Sequence, residues 1–145
     1  MNHRKTGALL LVLLVPTAVL IAAYAYYNSA VSSPRVYGSL GACHNVTVVV
    51  EYGKGYGYGV NQSFHGLNFT DGSTAFDALR NVTIVEYQYS GSLVLVTAIN
   101  GVHNNASANR FWQYYINGVY GPVASNLYHL SNNTVLEWRY EASQF

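Results

Sequence analysis

An aromatic run in the last third of the chain constrains the fold more than any other feature. It reads F-W-Q-Y-Y-I-N-G-V-Y and covers residues 111–120. Aromatic and β-branched residues suit a pleated, half-buried surface. Alternation along a strand predicts one face with Phe111, Gln113 and Tyr115 and an opposite face with Trp112, Tyr114 and Ile116. Asn117-Gly118 then favours a type I′ turn. We therefore predict a strand near the centre of a sheet, followed by a tight hairpin turn.

The remaining elements form a small α+β pattern around that strand. Runs rich in β-branched and aromatic residues predict further strands at residues 46–52, 60–69, 82–89, 93–99 and 134–140. Asn100-Gly101 predicts another turn. One helix is predicted over residues 71–81, where Thr74 followed by Asp77 makes a capping-box pattern. In the last strand, Thr134, Leu136, Trp138 and Tyr140 alternate with Val135, Glu137 and Arg139. For the aromatic residues among them, both a core position and a binding surface remain open.

The N-terminal segment has the character of a membrane or export signal. Residues 8–27 form a run of twenty residues without a charge, directly after Arg4 and Lys5. Such a run spans a bilayer as a helix, and the basic flank favours an anchor with its N-terminus inside the cell. A signal peptide cleaved after Ala23-Tyr24-Ala25 is the alternative. Both place the following domain outside the cytoplasm.

Composition shifts divide the chain into three parts. Residues 1–27 are predicted as the anchor or signal peptide. Residues 28–45 are small, polar and interrupted by Pro34, which favours a stalk or linker. Residues 46–141 are predicted to form the folded domain. Cys43 is the only cysteine, so an intrachain disulfide is excluded; an inert thiol, an intermolecular disulfide and a lipid attachment all remain open.

Low charge density excludes some partners and raises a question of solubility. Charged residues make up 9% of the chain and the net charge is +1, so the basic patch of a nucleic-acid-binding protein is missing. N-linked glycans would keep such a surface soluble. Candidate N-glycosylation sites, each an Asn-x-Ser/Thr sequon, are Asn45, Asn61, Asn68, Asn81, Asn105 and Asn132.

The polar residues give no pattern typical of catalysis or metal binding. The histidines past residue 40 are scattered, without the spacing of a metal site. No nucleophile elbow, phosphate-binding loop or zinc signature occurs. We therefore expect no enzymatic activity, no catalytic residues and no bound metal.

Aromatic residues are instead the candidates for a binding surface. They reach 14% of the chain, with 14 tyrosines. Tyr and Trp provide large, rigid contact area at low entropic cost. Tyr56 and Tyr58 lie in the glycine-rich segment 53–59, which is predicted as a hairpin loop. With them, Trp112 and Tyr114 complete the candidate binding surface, although strand alternation also allows these residues to be core.

Several motifs together resemble the transcobalamin C-terminal-like domain. They are T-A-F-D-A-L at 74–79, I-N-G-V at 99–102, W-Q-Y-Y-I-N-G at 112–118, Y-H-L at 128–130 and V-L-E-W-R-Y at 135–140. The resemblance implies a β-grasp-like mixed sheet with one short helix, in a module of secreted and surface-anchored proteins. In the vitamin carriers this module closes over cobalamin against a helical-barrel domain, which this sequence lacks. No cofactor is therefore expected, with a corrinoid as the alternative.

These observations predict a non-enzymatic binding or adhesion module held outside the cytoplasm. Its expected partners are the membrane, through residues 8–27, and a surface protein or small ligand, with no nucleic acid. The alternative is a structural subunit of a cell-surface layer or filament. In that case self-assembly would pair the stalk with an open sheet edge of a neighbour.

Overall fold

A computed structural model describes residues 37–53 and 59–144. The chain divides into two units, Met1–Arg35 and Val36–Phe145, and the described residues belong to the second. The predicted anchor at 8–27 lies outside them, as do Tyr56 and Tyr58. Within the described ranges, no helix has the length and apolar character needed to cross a membrane.

The described residues form ten strands, one α-helix and one short 3-10 turn. In chain order these are β1 (Tyr37–Gly38), β2 (Cys43–Glu51), β3 (Gln62–Phe69), α1 (Ala75–Val82), β4 (Val85–Ser90), β5 (Leu93–Ile99), β6 (Val102–His103), the 3-10 turn (Ala106–Ala108), β7 (Arg110–Ile116), β8 (Val119–Tyr120), β9 (Tyr128–His129) and β10 (Val135–Ala142).

The strands make one large mixed sheet and two smaller sheets. The large sheet has the order β3-β2-β10-β7-β8, with β10 parallel to β2 and antiparallel to β7. A second sheet has the order β4-β5-β6, and β1 pairs with β9 in a third. The expectation of a mixed sheet with one short helix is therefore met only in part, because the strands divide among separate sheets. Strand β7 pairs with β10 and β8, so it does not extend the β4-β5-β6 sheet, which is called the smaller sheet below.

The aromatic run forms the strand and turn that the sequence predicts. Strand β7 ends at Ile116, and Asn117 and Gly118 both have positive φ, 49° and 81°. This is the backbone that a type I′ turn requires, and Asn and Gly accept it more readily than other residues. Strand β8 then pairs with β7 through Tyr115 opposite Tyr120. The hairpin prediction is confirmed.

Helix α1 begins at the capping box that the sequence indicates. The Thr74 hydroxyl accepts a hydrogen bond from the Asp77 main-chain N–H, and the Asp77 carboxylate accepts one from the Thr74 N–H. These bonds satisfy donors that a helix start otherwise leaves unpaired. The buried face of the helix, with Ala75, Phe76 and Leu79, joins the core against the large sheet.

Alternation on β10 separates the core from the outer face of the large sheet. The predicted alternation is present, and Leu136, Trp138 and Tyr140 are buried in the core cluster. On the opposite face, the Arg139 guanidinium lies 4.1 Å from the Tyr115 ring centroid. Because Arg139 packs over it, Tyr115 is only 6% exposed, so strand β7 is buried on both faces.

Some element boundaries differ from the sequence prediction. Strand β2 begins at Cys43, and β1 lies at Tyr37–Gly38, so strands occur within the segment predicted as stalk. Strand β4 begins at Val85 because the preceding residues complete and cap the helix. The Cys43 thiol is buried, and burial raises its pKa, which lowers its reactivity in the folded domain.

Candidate functional site

The candidate site is a cleft where the smaller sheet meets strand β7, here called the β5–β7 cleft. Its volume is about 160 Å³. The residues that define it are Val94, Val96, Trp112, Tyr114, Ala124 and Trp138. Strand β5 has no strand partner at residues 93–97 on the side away from β4, within the described part of the chain. Strand β7 likewise has none at residues 112–114 on the side away from β10. The cleft therefore lies between two strand edges.

Two asparagine side chains cap the strand edges at the cleft. Asn104 donates from Nδ2 to the Val96 carbonyl at 2.9 Å and accepts from the Trp112 N–H at 2.8 Å. Asn126 accepts from the Val94 N–H at 3.0 Å and donates to the Ser92 carbonyl at 2.8 Å. A side-chain amide has the same donor and acceptor as a peptide group. These two amides bond main-chain N–H and carbonyl groups at the strand edges, so these groups are paired without a further strand in the cleft.

Tyr114 is fixed in the cleft wall by its hydroxyl and by a glycine. Its hydroxyl donates to the Val123 carbonyl at 2.6 Å, and burial raises its pKa far above the usual range, so it stays protonated. A Cβ placed on Gly121 would lie 2.1 Å from the Tyr114 ring. Only glycine therefore allows the ring to pack against that backbone. The Tyr114 hydroxyl keeps a lone pair for a further hydrogen bond.

Trp138 lines the cleft and, within the described ranges, has an indole N–H without a hydrogen-bond partner. Strand β10 is flanked by β2 and β7, so Trp138 can reach the cleft only through its side chain. The indole is 2% exposed, and its Nε1 finds no hydrogen-bond partner among the described residues. Trp112 differs, because its Nε1 donates to the Val102 carbonyl at 2.7 Å. A buried donor without a partner is rare, and each case needs a physical explanation.

The electrostatic character of the cleft is neutral. The described residues that line it carry no charged side chain. Its walls are mostly aromatic and aliphatic, and its polar side chains are the Trp138 indole, the Tyr114, Tyr120 and Ser125 hydroxyls and the Gln113 amide. An ionic ligand group would be left without a compensating charge in such surroundings. The cleft therefore suits an uncharged group that accepts a hydrogen bond.

Two larger surface grooves are weaker candidates. They measure about 600 and 480 Å³ and share residues 68–71 near the start of helix α1. None of the residues that line them has a buried side-chain polar atom without a partner. The Asp77 carboxylate at the second groove is already engaged by Thr74. In the described ranges, no three His, Cys, Asp or Glu side chains lie close enough together to hold a metal ion.

The structure corrects part of the candidate binding surface. Trp112 and Tyr114 are 5% and 8% exposed, so they are core residues and do not form an open binding surface. Both residues also line the β5–β7 cleft. They are buried because β7 turns this face toward the core, where Trp112 packs on Tyr52 and Tyr140. Tyr56 and Tyr58 lie outside the described residues. The sequence leaves Trp138 open between core and binding surface and gives no sign of its unpaired N–H.

The sequon asparagines lie at the surface of the described domain. Asn45, Asn61, Asn68, Asn81 and Asn132 are exposed, and Asn105 is half-buried. Their amide groups differ in their contacts. The Asn45 Nδ2, the atom that carries an N-linked glycan, donates to Asn133 at 2.7 Å. Asn105 accepts from the Ala108 N–H and so caps the 3-10 turn.

Comparison with known proteins supports the fold and provides little information on function. A family model described as a domain of unknown function, DUF4430, matches residues 72–142. No curated protein matches the chain. Among solved structures, haptocorrin in complex with Cbi has a TM-score of 0.54 at 16% identity, over 71% of this chain and 26% of the haptocorrin chain. A candidate metal-binding protein from Ruminococcus gnavus has a TM-score of 0.53 at 17% identity, over 70% of this chain and 98% of that chain.

The two solved structures are only 16% and 17% identical to this chain in sequence, so their similarity shows a shared fold and not a shared function. This chain spans only about a quarter of the haptocorrin chain. The resemblance noted in the sequence is supported at this level: the described residues have a transcobalamin-like fold.

Proposed function

We propose that the domain is a non-enzymatic binding module whose contact site is the β5–β7 cleft. The observation that carries the proposal is the Trp138 Nε1, a buried donor with no partner in the described residues, in a side chain that lines the cleft. Leaving such a donor unpaired costs about 1–3 kcal/mol. A ligand that accepts from this N–H would recover that free energy on binding.

The composition of the cleft favours binding over catalysis. Its described lining includes no His, Cys, Asp, Glu or Lys, so the one serine in it, Ser125, has no residue of these types in the lining to take its proton. Its aromatic walls and small number of polar groups are typical of ligand sites. The fold is shared with haptocorrin, which was crystallised with Cbi, and this supports a binding role.

The size of the cleft argues against a corrinoid as its occupant. Sites for drug-sized ligands measure about 300–1,000 Å³. The β5–β7 cleft measures about 160 Å³, room for a single ring or side chain. We therefore expect a small ligand, or one group of a larger partner.

A fragment screen on the full chain tests the proposal. The chain has two tryptophans, so selective ¹⁵N labelling of the indoles gives two signals, which the Trp138→Phe variant assigns. We expect at least one neutral single-ring fragment to shift the Trp138 signal and leave the Trp112 signal in place. Ala124→Phe fills the cleft and should abolish the shift, whereas Ala106→Phe, at an exposed residue, should not. A Trp138 signal that no fragment moves would contradict the proposal.

We also propose that the domain is held outside the cytoplasm, anchored or secreted through residues 8–27. The uncharged run and the surface position of the six sequons support this location. Mass spectrometry of native material should find glycans on several sequons. Occupancy should be lower at Asn45 than at Asn81, because Asn133 lies 2.7 Å from the Asn45 Nδ2 and crowds the atom to which the glycan attaches. Finding all six bare would remove the glycan argument.

An assembling subunit is a second candidate, favoured by one observation. Strand β3 ends the large sheet and has a strand partner on one side only, among the described residues. Such an edge can accept an extended segment of a neighbouring molecule. Electron microscopy of native protein distinguishes the candidates, since ordered polymers support assembly and dispersed particles support the binding module.

A further inference from the structure

The dimensions of the β5–β7 cleft suit one six-membered ring. A cavity of about 150 Å³ lined by apolar side chains holds a benzene molecule. The cleft has about 160 Å³. Val94 and Val96 contribute to one wall, from β5, and Trp112 and Tyr114 to the other, from β7. A ring placed between them would meet aromatic neighbours, for which edge-to-face and offset contacts are favourable.

Two polar groups further restrict what that ring carries. The Trp138 Nε1 needs an acceptor, because the described residues provide none. The Tyr114 oxygen can only accept, because its hydrogen is committed to the Val123 carbonyl. A hydroxyl group both accepts and donates, so one hydroxyl on the ligand can satisfy the indole and find an acceptor in the same lining.

Other neutral rings match this combination less well. A hydrocarbon ring leaves the Trp138 N–H unpaired. A sugar ring brings hydroxyls around its whole edge, and those that face Val94, Val96 and Trp112 would lose water without gaining a partner, although Gln113, Tyr120 and Ser125 also line the cleft. A charged ring lacks a counter-charge, because the described lining has no ionised side chain. A ring with a single hydroxyl leaves the fewest groups unsatisfied.

We infer that the β5–β7 cleft binds a phenol, an uncharged aromatic ring with one hydroxyl group, which accepts a hydrogen bond from Trp138 Nε1. This inference rests on the proposed function of the cleft as a contact site and names its ligand class. The same chemistry occurs in small free phenols and in the tyrosine side chain of a partner protein.

The test is a calorimetric titration of the full chain with three probes, namely p-cresol, toluene and methyl β-glucopyranoside. We expect p-cresol to bind about tenfold more tightly than toluene, the ratio that one hydrogen bond typically gives. The glucoside should not bind measurably. In the indole spectrum, saturation with p-cresol should shift the Trp138 signal and leave Trp112 unchanged.

Two matched variants isolate the hydrogen bond. Trp138→Phe should abolish the preference, so that p-cresol and toluene bind with about equal affinity, because the N–H that bonds the phenol hydroxyl is then absent. Tyr89→Phe removes a hydroxyl at an exposed residue outside the cleft lining, so the tenfold preference should persist. Thermal unfolding of both variants checks that each is folded before titration.

The outcomes separate this inference from the proposed function. Equal affinity for p-cresol and toluene, or a preference that survives Trp138→Phe, overturns the phenol inference while leaving the cleft as a binding site. Tighter binding of the glucoside also overturns it. Absence of binding by all probes, with no Trp138 shift in the wider fragment screen, overturns both.

N-acetyl-tyrosinamide, used as a fourth probe, distinguishes the two sources. Affinity at least equal to that of p-cresol supports a tyrosine side chain of a partner, because the flanking peptide groups are then accommodated. Clearly weaker affinity supports a small free phenol.

Discussion

The two tryptophans are matched in burial and differ in one hydrogen bond. Both lie in the core cluster, on neighbouring strands of the large sheet. Trp112 donates to the Val102 carbonyl, whereas Trp138 has no acceptor in the described residues. This contrast allows the cost of one unpaired donor to be measured within a single molecule.

Replacing each tryptophan by phenylalanine should therefore have unequal effects on stability. Both changes remove similar apolar surface. Trp112→Phe also leaves the Val102 carbonyl without its partner, while Trp138→Phe removes a donor that was already unpaired. We expect Trp138→Phe to reduce the free energy of unfolding less than Trp112→Phe does, by about 1–3 kcal/mol. Denaturant unfolding at a constant m-value measures the difference, and equal losses would contradict it.

Tyr115 couples stability to alkaline pH. Its hydroxyl donates to the Glu141 carboxylate. Burial, together with this bond and the charge of Glu141, raises the pKa of Tyr115 to about 12. Tyrosine in an unfolded chain has a pKa of about 10. Because the folded pKa is the higher one, the stabilisation is fully present below about pH 10 and is lost as pH rises toward 12.

The expected result is a decline in unfolding temperature between about pH 10 and 12 that Tyr115→Phe makes shallower. Part of the decline should remain, since burial raises the pKa of Tyr114 as well. Tyr89→Phe, at an exposed residue, is the control and should follow the native profile. Identical slopes for the native chain and Tyr115→Phe would show that Tyr115 does not titrate in this range.

At the scale of elements, the capping box should carry much of the stability of helix α1. Thr74→Ala removes the hydroxyl that accepts from the Asp77 N–H and should lower the free energy of unfolding by about 1–2 kcal/mol. Thr70→Ala, which removes an exposed hydroxyl outside the helix, is the control. A loss at Thr70 as large as that at Thr74 would contradict the role of the cap.

Local sequence signals predict these elements because they act over a few residues. The Asn117-Gly118 turn, the Thr74 cap and the alternation on β10 each depend on neighbours in the chain, and each is present in the structure. Asn104 instead bridges β5 and β7 through Val96 and Trp112, and Asn126 bonds the edge of β5 from more than 30 residues along the chain. No local pattern indicates which asparagine caps a strand edge.

The candidate site was predictable only in part for the same reason. Trp112 and Tyr114 were selected as aromatic residues, and they do line the cleft, although as buried residues. The sequence leaves Trp138 open between core and binding surface, and in the structure it is buried. Whether its N–H is paired depends on which carbonyl groups the fold brings near it, and this is decided by the packing of β7 and β10.

At the scale of the whole molecule, the large sheet, the smaller sheet and helix α1 share one core. The inner face of the large sheet is covered by helix α1 and by the smaller sheet, and the cleft lies at the junction of the smaller sheet with β7. A ligand in the cleft would contact both sheets at once. Binding should therefore raise the unfolding temperature of the domain as a unit, in proportion to ligand concentration over its Kd.

The parallel pairing of β2 with β10 has a consequence for the response to mechanical force. Five residues of β2, from Thr47 to Glu51, pair with Val135 to Arg139 of β10. Since the strands run in the same direction, tension applied to the N-terminal side of β2 and the C-terminal side of β10 loads all these hydrogen bonds in shear. They must then break together.

Single-molecule pulling can measure this resistance. Handles near residues 36 and 144 should require a higher rupture force than handles at Glu51 and Arg139, a register pair from which the same ladder opens one bond at a time. Equal forces in the two geometries would contradict the shear arrangement. A domain tethered at its N-terminus to a membrane and pulled from its far end would, by this geometry, hold its load along the strongest direction of the sheet.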